Sequence, residues 1–214
     1  ISGGFTSDGV LPVKPFLPMI KRVKDEFDLV ISVHAGLVDR SLAEDLRVHG
    51  VDIVDYEFIL DDVIIRDLKH LNKHVDTYID TYEVLLEYGP PHIVPHLPPP
   101  LTRDNTCVFQ AVDVLKRYKP ELVVFLVSMD HSLVDVEEVV DLIRYARRKL
   151  DSEISLGCMR PYVLKPILDK RVIEEGLVDR IVNPLKKHIE AYRLRIVEAC
   201  CSIPRKLVHK LLGG

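Results

Sequence analysis

Residues 122–161 read LVVFLVSMDHSLVDVEEVVDLIRYARRKLDSEISLGCMRP, a strand, a helix and a second strand in succession. The β-branched run at 122–128 is apolar throughout and predicts a strand buried on both faces. The pattern over 135–150 predicts a helix with a charged, solvated outer face, and 153–158 predicts the next strand. Strand, helix and strand in that order make a parallel pair joined by a crossover helix, the repeat from which α/β sheets and barrels are built.

Outward from this unit the same alternation recurs. Short apolar runs end in polar, glycine-bearing or proline-bearing corners at Ile1-Ser2-Gly3-Gly4, Ser32-Val33-His34-Ala35-Gly36, Val54-Asp55-Tyr56-Glu57 and Val94-Pro95-His96-Leu97. They recur at Val127-Ser128-Met129-Asp130, at Leu156-Gly157-Cys158-Met159-Arg160-Pro161 and at Ile181-Val182-Asn183-Pro184. Helical patterns cover 13–27, 39–49 (closed by Gly50), 61–73, 76–88 (ended by Gly89-Pro90-Pro91), 104–118 and 163–175, and strands are read at 29–33, 51–59, 92–97 and 179–183. A mainly helical tail runs from 185 to 212, broken near Pro204. The fold class is therefore α/β, a TIM-like (βα) barrel of parallel strands. Counting Ile1-Ser2 as a clipped strand gives seven where a closed barrel takes eight, so one βα unit is expected at the front, lost, supplied by another chain or lying outside this one.

The chain has 214 residues, 47% apolar and 29% charged, enough for one substantial core, and a single domain over 1–214 is expected. Its 29 basic and 33 acidic residues are spread throughout to a net charge of −4, which disfavours nucleic-acid binding driven by bulk charge. No apolar run is long enough to cross a membrane, and Cys107, Cys158, Cys200 and Cys201 are too few and too unevenly spaced for a disulfide framework. A reducing cytoplasm is the expected setting. A single glutamine, Gln110, and three asparagines lean toward a thermophile.

In such folds the chemistry sits at the carboxyl ends of the strands. Asp55 and Glu57 share one strand face, and carboxylates pointing into an apolar interior are costly unless they meet a partner. Arg160 carries a fork suited to a carboxylate, and Cys158 lies on its strand face. His34 and His96 stand at strand ends. His92 and His96, roughly 13 Å apart along one extended strand, cannot share a metal ion. Cys200 and Cys201, read as neighbours on a helix, diverge by about 100°.

In order and residue type these corners resemble the radical S-adenosylmethionine superfamily, and within it the biotin synthase-like and archaeal lipoyl synthase-like branch. The resemblance runs from that fold's second strand onward. Ser2-Gly3-Gly4 is similar to the glycine motif that approaches the cofactor's methionyl end, Val33-His34-Ala35-Gly36 to the third-strand corner, and Gly50-Val51-Asp52 to the segment leading into the fourth. Glu57, with Asp55, falls where a ribose-binding residue is expected. Pro95-His96, Leu156-Gly157-Cys158-Met159-Arg160-Pro161 and Glu198-Ala199-Cys200-Cys201-Ser202-Ile203 resemble motifs of that branch.

The resemblance implies S-adenosylmethionine and a [4Fe-4S] cluster as cofactors, and a 5′-deoxyadenosyl radical that abstracts hydrogen from an unactivated carbon, with sulfur insertion as a further step. It implies Gly3, Gly4, Asp55 and Glu57 as cofactor contacts, and His34, His96 and Arg160 at the substrate end. Cys158, Cys200 and Cys201 are the implied auxiliary cluster ligands. The implied partners are a small-molecule or lipoyl- or biotin-type substrate and a polypeptide at the open sheet edge, with no nucleic acid and no membrane. The chain departs from the family in three places. The CxxxCxxC cluster loop is absent, which puts its ligands outside this chain; Pro98-Pro99-Pro100 replaces a glycine-rich turn; and Ser128-Met129-Asp130-His131-Ser132 replaces another. Two other readings are a cluster-less barrel acting as a binding or accessory subunit, and a divalent-metal hydrolase or aldolase, which needs three or more convergent ligands.

Overall fold

In the computed structural model, which describes residues 1–98 and 106–212, the buried runs form parallel strands and the segments between them wind into helices. The strands are β1 (Ser32–Val33), β2 (Ile53–Glu57), β3 (His92–Leu97), β4 (Leu122–Phe125), β5 (Glu153–Leu156) and β6 (Arg180–Ile181). The helices are α1 (Leu17–Glu26), α2 (Arg40–Val48), α3 (Val75–Tyr88), α4 (Thr106–Tyr118), α5 (Val136–Lys149), α6 (Lys165–Glu174), α7 (Lys186–Tyr192) and α8 (Arg205–Leu212). Parallel strands alternating with helices are the α/β class that the corners predict. Pro99, Pro100 and the expected start of the helix at 104–105 lie outside the described residues.

Ile1-Ser2 is not a strand. Ile1 donates to the Ser32 carbonyl at 2.5 Å and its own carbonyl accepts from the His34 N–H at 2.9 Å, so one residue runs beside β1 and is too short to make a ladder. Other strands stop before their apolar runs do. The run at 122–128 leaves the ladder after Phe125 because the Val127 N–H turns to the Met159 carbonyl at 2.8 Å, while Val127 stays fully buried.

The chain divides into two compact units, Ile1–Pro95 and His96–Gly214. In the first, Ser32 and Val33 stand opposite Ile53 and Val54, and the His92 N–H reaches the Asp52 carbonyl at 3.2 Å, which starts β3 beside β2. In the second, His96 and Leu97 of β3 register with Val124 and Phe125 of β4, which continues to β5 and β6. All of β4 is buried, and α5 buries Val139, Val140, Leu142, Ile143 and Ala146, the stripe expected of a helix covering a sheet.

Each unit contains the same carboxylate clamp. In the first, α2 ends at Gly50 (φ 81°), the Val51 N–H returns to the Leu46 carbonyl, and Asp52 accepts from the Ile31 N–H at 2.8 Å and from Lys24 of α1 at 2.6 Å. In the second, α6 ends at Gly176 (φ 62°) and the Leu177 N–H returns to the Val172 carbonyl. Asp179 then accepts from the Ile154 N–H at 2.8 Å and from Arg147 of α5 at 2.5 Å. The left-handed glycine turns the chain, and the aspartate ties the start of one strand to its neighbour and to the helix before it. Burial alone would raise the Asp179 carboxyl, but Arg147 and the Ile154 N–H outweigh it and hold it below the ordinary range.

Arg160, expected to face a substrate, instead fastens the second unit together. Its side chain and that of Asp169 on α6 are wholly inaccessible. Nε and Nη2 reach the two Asp169 oxygens at 2.7 and 3.1 Å, Nη1 reaches the Gly157 carbonyl at 2.5 Å, and Nη2 also reaches the Val182 carbonyl at 2.7 Å. The fork joins the end of β5, α6 and the segment after β6, and is not turned toward a ligand. On the outer helix faces, which the sequence marks only as solvated, Arg171 pairs with Glu137 at 2.6 Å and Arg144 with Glu175 at 2.6 Å, stitching α5 to α6.

Two stability outcomes follow. Asp169→Asn leaves the Arg160 charge buried and is expected to cost about 3–5 kcal/mol in urea unfolding, against less than about 1 kcal/mol for Arg171→Ala on the surface. Equal costs would contradict the assignment. Asp179→Asn is expected to cost about 1 kcal/mol at neutral pH. A carboxyl held low in the folded state stabilises above its unfolded value of about 3.9 and loses that contribution as pH falls through the folded value, so the difference from wild type should shrink below about pH 4.

Candidate functional site

The two-residue period of β2 sends Asp55 and Glu57 to one face and Tyr56 and Phe58 to the other. On the aromatic face, Tyr56 stacks on Tyr82 of α3 at 5.8 Å and donates its hydroxyl to the Tyr78 carbonyl at 2.8 Å, and Phe58 meets the Tyr82 ring edge-on at 5.2 Å. This packing fixes the strand. The carboxylate face opens on a cavity of about 200 Å³, wholly within the first unit, whose lining includes Phe5, His34, Asp55, Glu57, Lys69 and Tyr78.

Asp55 is 3% exposed. Its Oδ2 accepts from the Ser32 hydroxyl and lies 3.3 Å from His34 Nε2, while Oδ1 has no hydrogen-bond partner among the described residues. Leaving a buried acceptor unsatisfied costs about 1–3 kcal/mol, and a ligand that donates a hydrogen bond there recovers it. Glu57 pairs with Lys69, whose ammonium lies 6.0 Å from the Phe5 ring centroid. Burial, reinforced by Glu57, raises the Tyr78 phenol well above its ordinary range, so it remains a neutral donor. Two carboxylates, one lysine and one histidine give the cavity a chemistry suited to ligands that bring hydroxyl or cationic donors.

The rim is shaped by glycines other than those expected. Residues 9–11 lie along 35–37, with Val10 bridged to Gly36 and the Leu37 N–H donating to the Gly9 carbonyl at 2.9 Å. Gly36 has φ 75°, and a Cβ there would stand 2.1 Å from the Gly9 carbonyl oxygen and 2.7 Å from the Phe5 ring. Gly3 and Gly4, expected to approach a cofactor, are exposed and do not line the cavity. A Cβ at Gly4 would meet nothing within 4 Å, and neither position has the left-handed φ that demands glycine.

The structure thus brings His34, Asp55 and Glu57 together. His96 belongs to the second unit, where it is buried with Nε2 at 3.8 Å from Cys201 Sγ, and Arg160 is used as described above. All four cysteines are thiols. Cys200 and Cys201 sit in a turn, not a helix, and their sulfurs lie 3.8 Å apart. Among the described residues no three histidine, cysteine or acidic side chains form a set that could hold a metal ion, so Cys158, Cys200 and Cys201 do not build the expected auxiliary cluster site, and the ligand set a metal hydrolase needs is not present there either. Sequence reasoning missed Lys69, Phe5 and Gly9. Lys69 follows Ile64–Leu68, which winds as a π-helix closed by its own N–H to the Ile64 carbonyl, a form that leaves no trace in apolar periodicity.

S-adenosylmethionine fits this site in part. The unpartnered Asp55 Oδ1 suits a ribose hydroxyl, and the acidic lining suits a cationic ligand. The volume is below the range of about 300–1,000 Å³ for pockets that enclose a whole small molecule, so it takes one polar portion. A [4Fe-4S] cluster does not fit the described residues, which offer it no ligand set. No described helix is long and apolar enough to cross a membrane.

No protein-family model and no curated protein matches the sequence. Among solved structures, the chain is similar in fold to methylornithine synthase (PylB), with a TM-score of 0.57 at 15% identity over 92% of this chain. The match spans 58% of the length of that protein. Parallel strands alternating with helices are thus shared with a barrel protein of known structure, at an identity that establishes the fold alone.

Proposed function

We propose that this chain is the cofactor-binding part of a radical S-adenosylmethionine protein of the biotin and lipoyl synthase-like type, and that the first-unit cavity holds the ribose of S-adenosylmethionine. The observation that carries the reading is the buried Asp55 Oδ1, without a partner among the described residues, on a side chain that lines a cavity shared with Glu57 and His34. The fold likeness to methylornithine synthase, a radical S-adenosylmethionine enzyme, and the corner motifs support it.

In this reading Asp55 accepts from one ribose hydroxyl, and its orientation is held by Ser32. Glu57 accepts from the second, exchanging part of its contact with Lys69, and the Tyr78 hydroxyl remains available as a neutral donor. Held here, S-adenosylmethionine would supply hydrogen-abstraction chemistry at an unactivated carbon, and the iron–sulfur cluster that the resemblance implies would need ligands outside the described residues. A substrate of small-molecule, lipoyl or biotin type, sulfur insertion, a partner polypeptide at the sheet edge and a cytoplasmic setting belong to the same proposal. A second reading, a cluster-less barrel acting as a binding or accessory subunit, is favoured by the altered corners at Pro98-Pro99-Pro100 and Ser128-Met129-Asp130-His131-Ser132.

Titration calorimetry under anaerobic conditions tests the site. One equivalent of S-adenosylmethionine is expected to bind, with Glu57→Gln weakening it about fivefold to tenfold and Asp55→Asn by more, both variants keeping the wild-type circular dichroism. No binding at millimolar ligand, or binding that both substitutions leave intact, overturns the proposal. Iron and sulfide analysis of the full-length gene product after anaerobic reconstitution separates the two readings: a full cluster complement supports the enzyme, and none supports the binding subunit.

A further inference from the structure

We propose that Cys200 and Cys201 form a thiol–disulfide site that reacts with small-molecule disulfides, with His96 as the proton acceptor for the buried thiol. The argument begins with the sheet of the second unit. His96, Val124, Ser155 and Arg180 stand in one register across β3, β4, β5 and β6 and so present their side chains to one face. The segment Cys201–Pro204 is buried and reaches this row: Arg180 donates to the Ile203 carbonyl, and Cys201 Sγ lies 3.8 Å from His96 Nε2. Past the segment, Arg205 pairs with Glu153 at 2.6 Å, and Lys206 with Glu121 at 3.2 Å. Cys201 is thus held from both sides, while Cys200, one residue before it, is exposed.

The two thiols differ in a way that assigns their roles. Cys200 is accessible to a reagent, and Cys201 is not. The Cys200 and Cys201 sulfurs lie 3.8 Å apart in a turn with no helix to splay them, and rotation of the two side chains together with a twist of the intervening peptide brings them to a bond of about 2.05 Å. Adjacent Cα atoms are about 3.8 Å apart, nearer than in most bridged pairs, so the bond closes an eight-membered ring and belongs to the readily reduced class. A site that opens and closes with the redox state of its surroundings is the consequence.

The steps balance. Cys200 gives its proton to solvent and its thiolate attacks one sulfur of a small disulfide of the glutathione type; that S–S bond breaks, one thiolate leaves and takes up a proton from solvent, and Cys200 carries a mixed disulfide. Cys201 passes its proton to His96 Nε2, in the tautomer protonated at Nδ1, and its thiolate attacks the Cys200 sulfur. The second small thiol leaves with a proton. Two cysteine sulfurs are oxidised, and the reagent disulfide is reduced to two thiols.

Oxidised glutathione is the probe, applied to the intact protein and followed by tryptic mass mapping without reduction. The peptide 196–205 holds both residues, and Cys158, exposed and without an adjacent cysteine, is the internal reference. The expected result is a 196–205 peptide lacking two hydrogens and carrying no glutathione, with a lasting adduct at Cys158. A lasting adduct at Cys200, an unreacted peptide, or a linkage from it to Cys107 or Cys158 overturns the proposal. Cys201→Ser should convert the product to a stable Cys200 adduct. His96→Asn should slow ring closure by about tenfold or more while leaving adduct formation at Cys200 unchanged; equal slowing of both steps overturns the role of His96.

Discussion

The pleat of β2 sets what the first unit can do. Because neighbouring side chains must point to opposite faces, Asp55 and Glu57 cannot reach the cavity unless Tyr56 and Phe58 face the other way, and the rings of Tyr78 and Tyr82 give those aromatics a packed layer. A one-residue shift of register would bury two carboxylates among tyrosines and turn two aromatic rings toward the cavity, so the core and the site enforce each other. The burial of Asp55 follows from that constraint. The aromatic layer also holds rigid a strand whose other face bears an acceptor with an unmet hydrogen bond, a preorganised arrangement in which the ligand does not have to pay for ordering the protein.

Charged side chains in this fold act in three distinct ways. The Asp52 and Asp179 clamps are partly accessible and act on backbone, fixing where each strand starts relative to its neighbour. The Arg160–Asp169 pair is sealed and gains from four hydrogen bonds in a fixed geometry, and its worth lies chiefly in the cost of breaking it. Asp55 lines a cavity and keeps one carboxylate oxygen without a partner among the described residues. Burial therefore does not by itself distinguish structure from function here. Arg160 and Asp55 are equally hidden, and only the hydrogen-bond count separates a fastened group from one awaiting a ligand.

Much of the fold is legible in the sequence because short runs rich in β-branched residues mark the strands and apolar stripes mark the helices between them, and β3 spans His92–Leu97 as the run at 92–97 predicts. What the sequence overstates is length: buried apolar residues such as Val127 continue past the ladder, and hydropathy does not show where the hydrogen bonds stop. For the site, the alternation through Asp55 and Glu57 and the corner at His34 were readable, since both follow from strand period. Gly3 and Gly4 against Gly9 and Gly36 were not, because which glycine is irreplaceable depends on a tertiary approach of 9–11 to 35–37. Arg160 looked like a ligand group for the same reason: Asp169 lies nine residues on, in a helix whose inward face the sequence does not mark as acidic. Cys200 and Cys201, which a helix would splay apart, meet because the chain turns there.

The most direct test is a crystal structure of this chain soaked anaerobically with S-adenosylmethionine. The account predicts a ribose in the first-unit cavity with one hydroxyl within hydrogen-bond distance of Asp55 Oδ1 and the other at Glu57. A ligand bound elsewhere, or a cavity in which Asp55 Oδ1 stays without a donor while S-adenosylmethionine is seated, would contradict it.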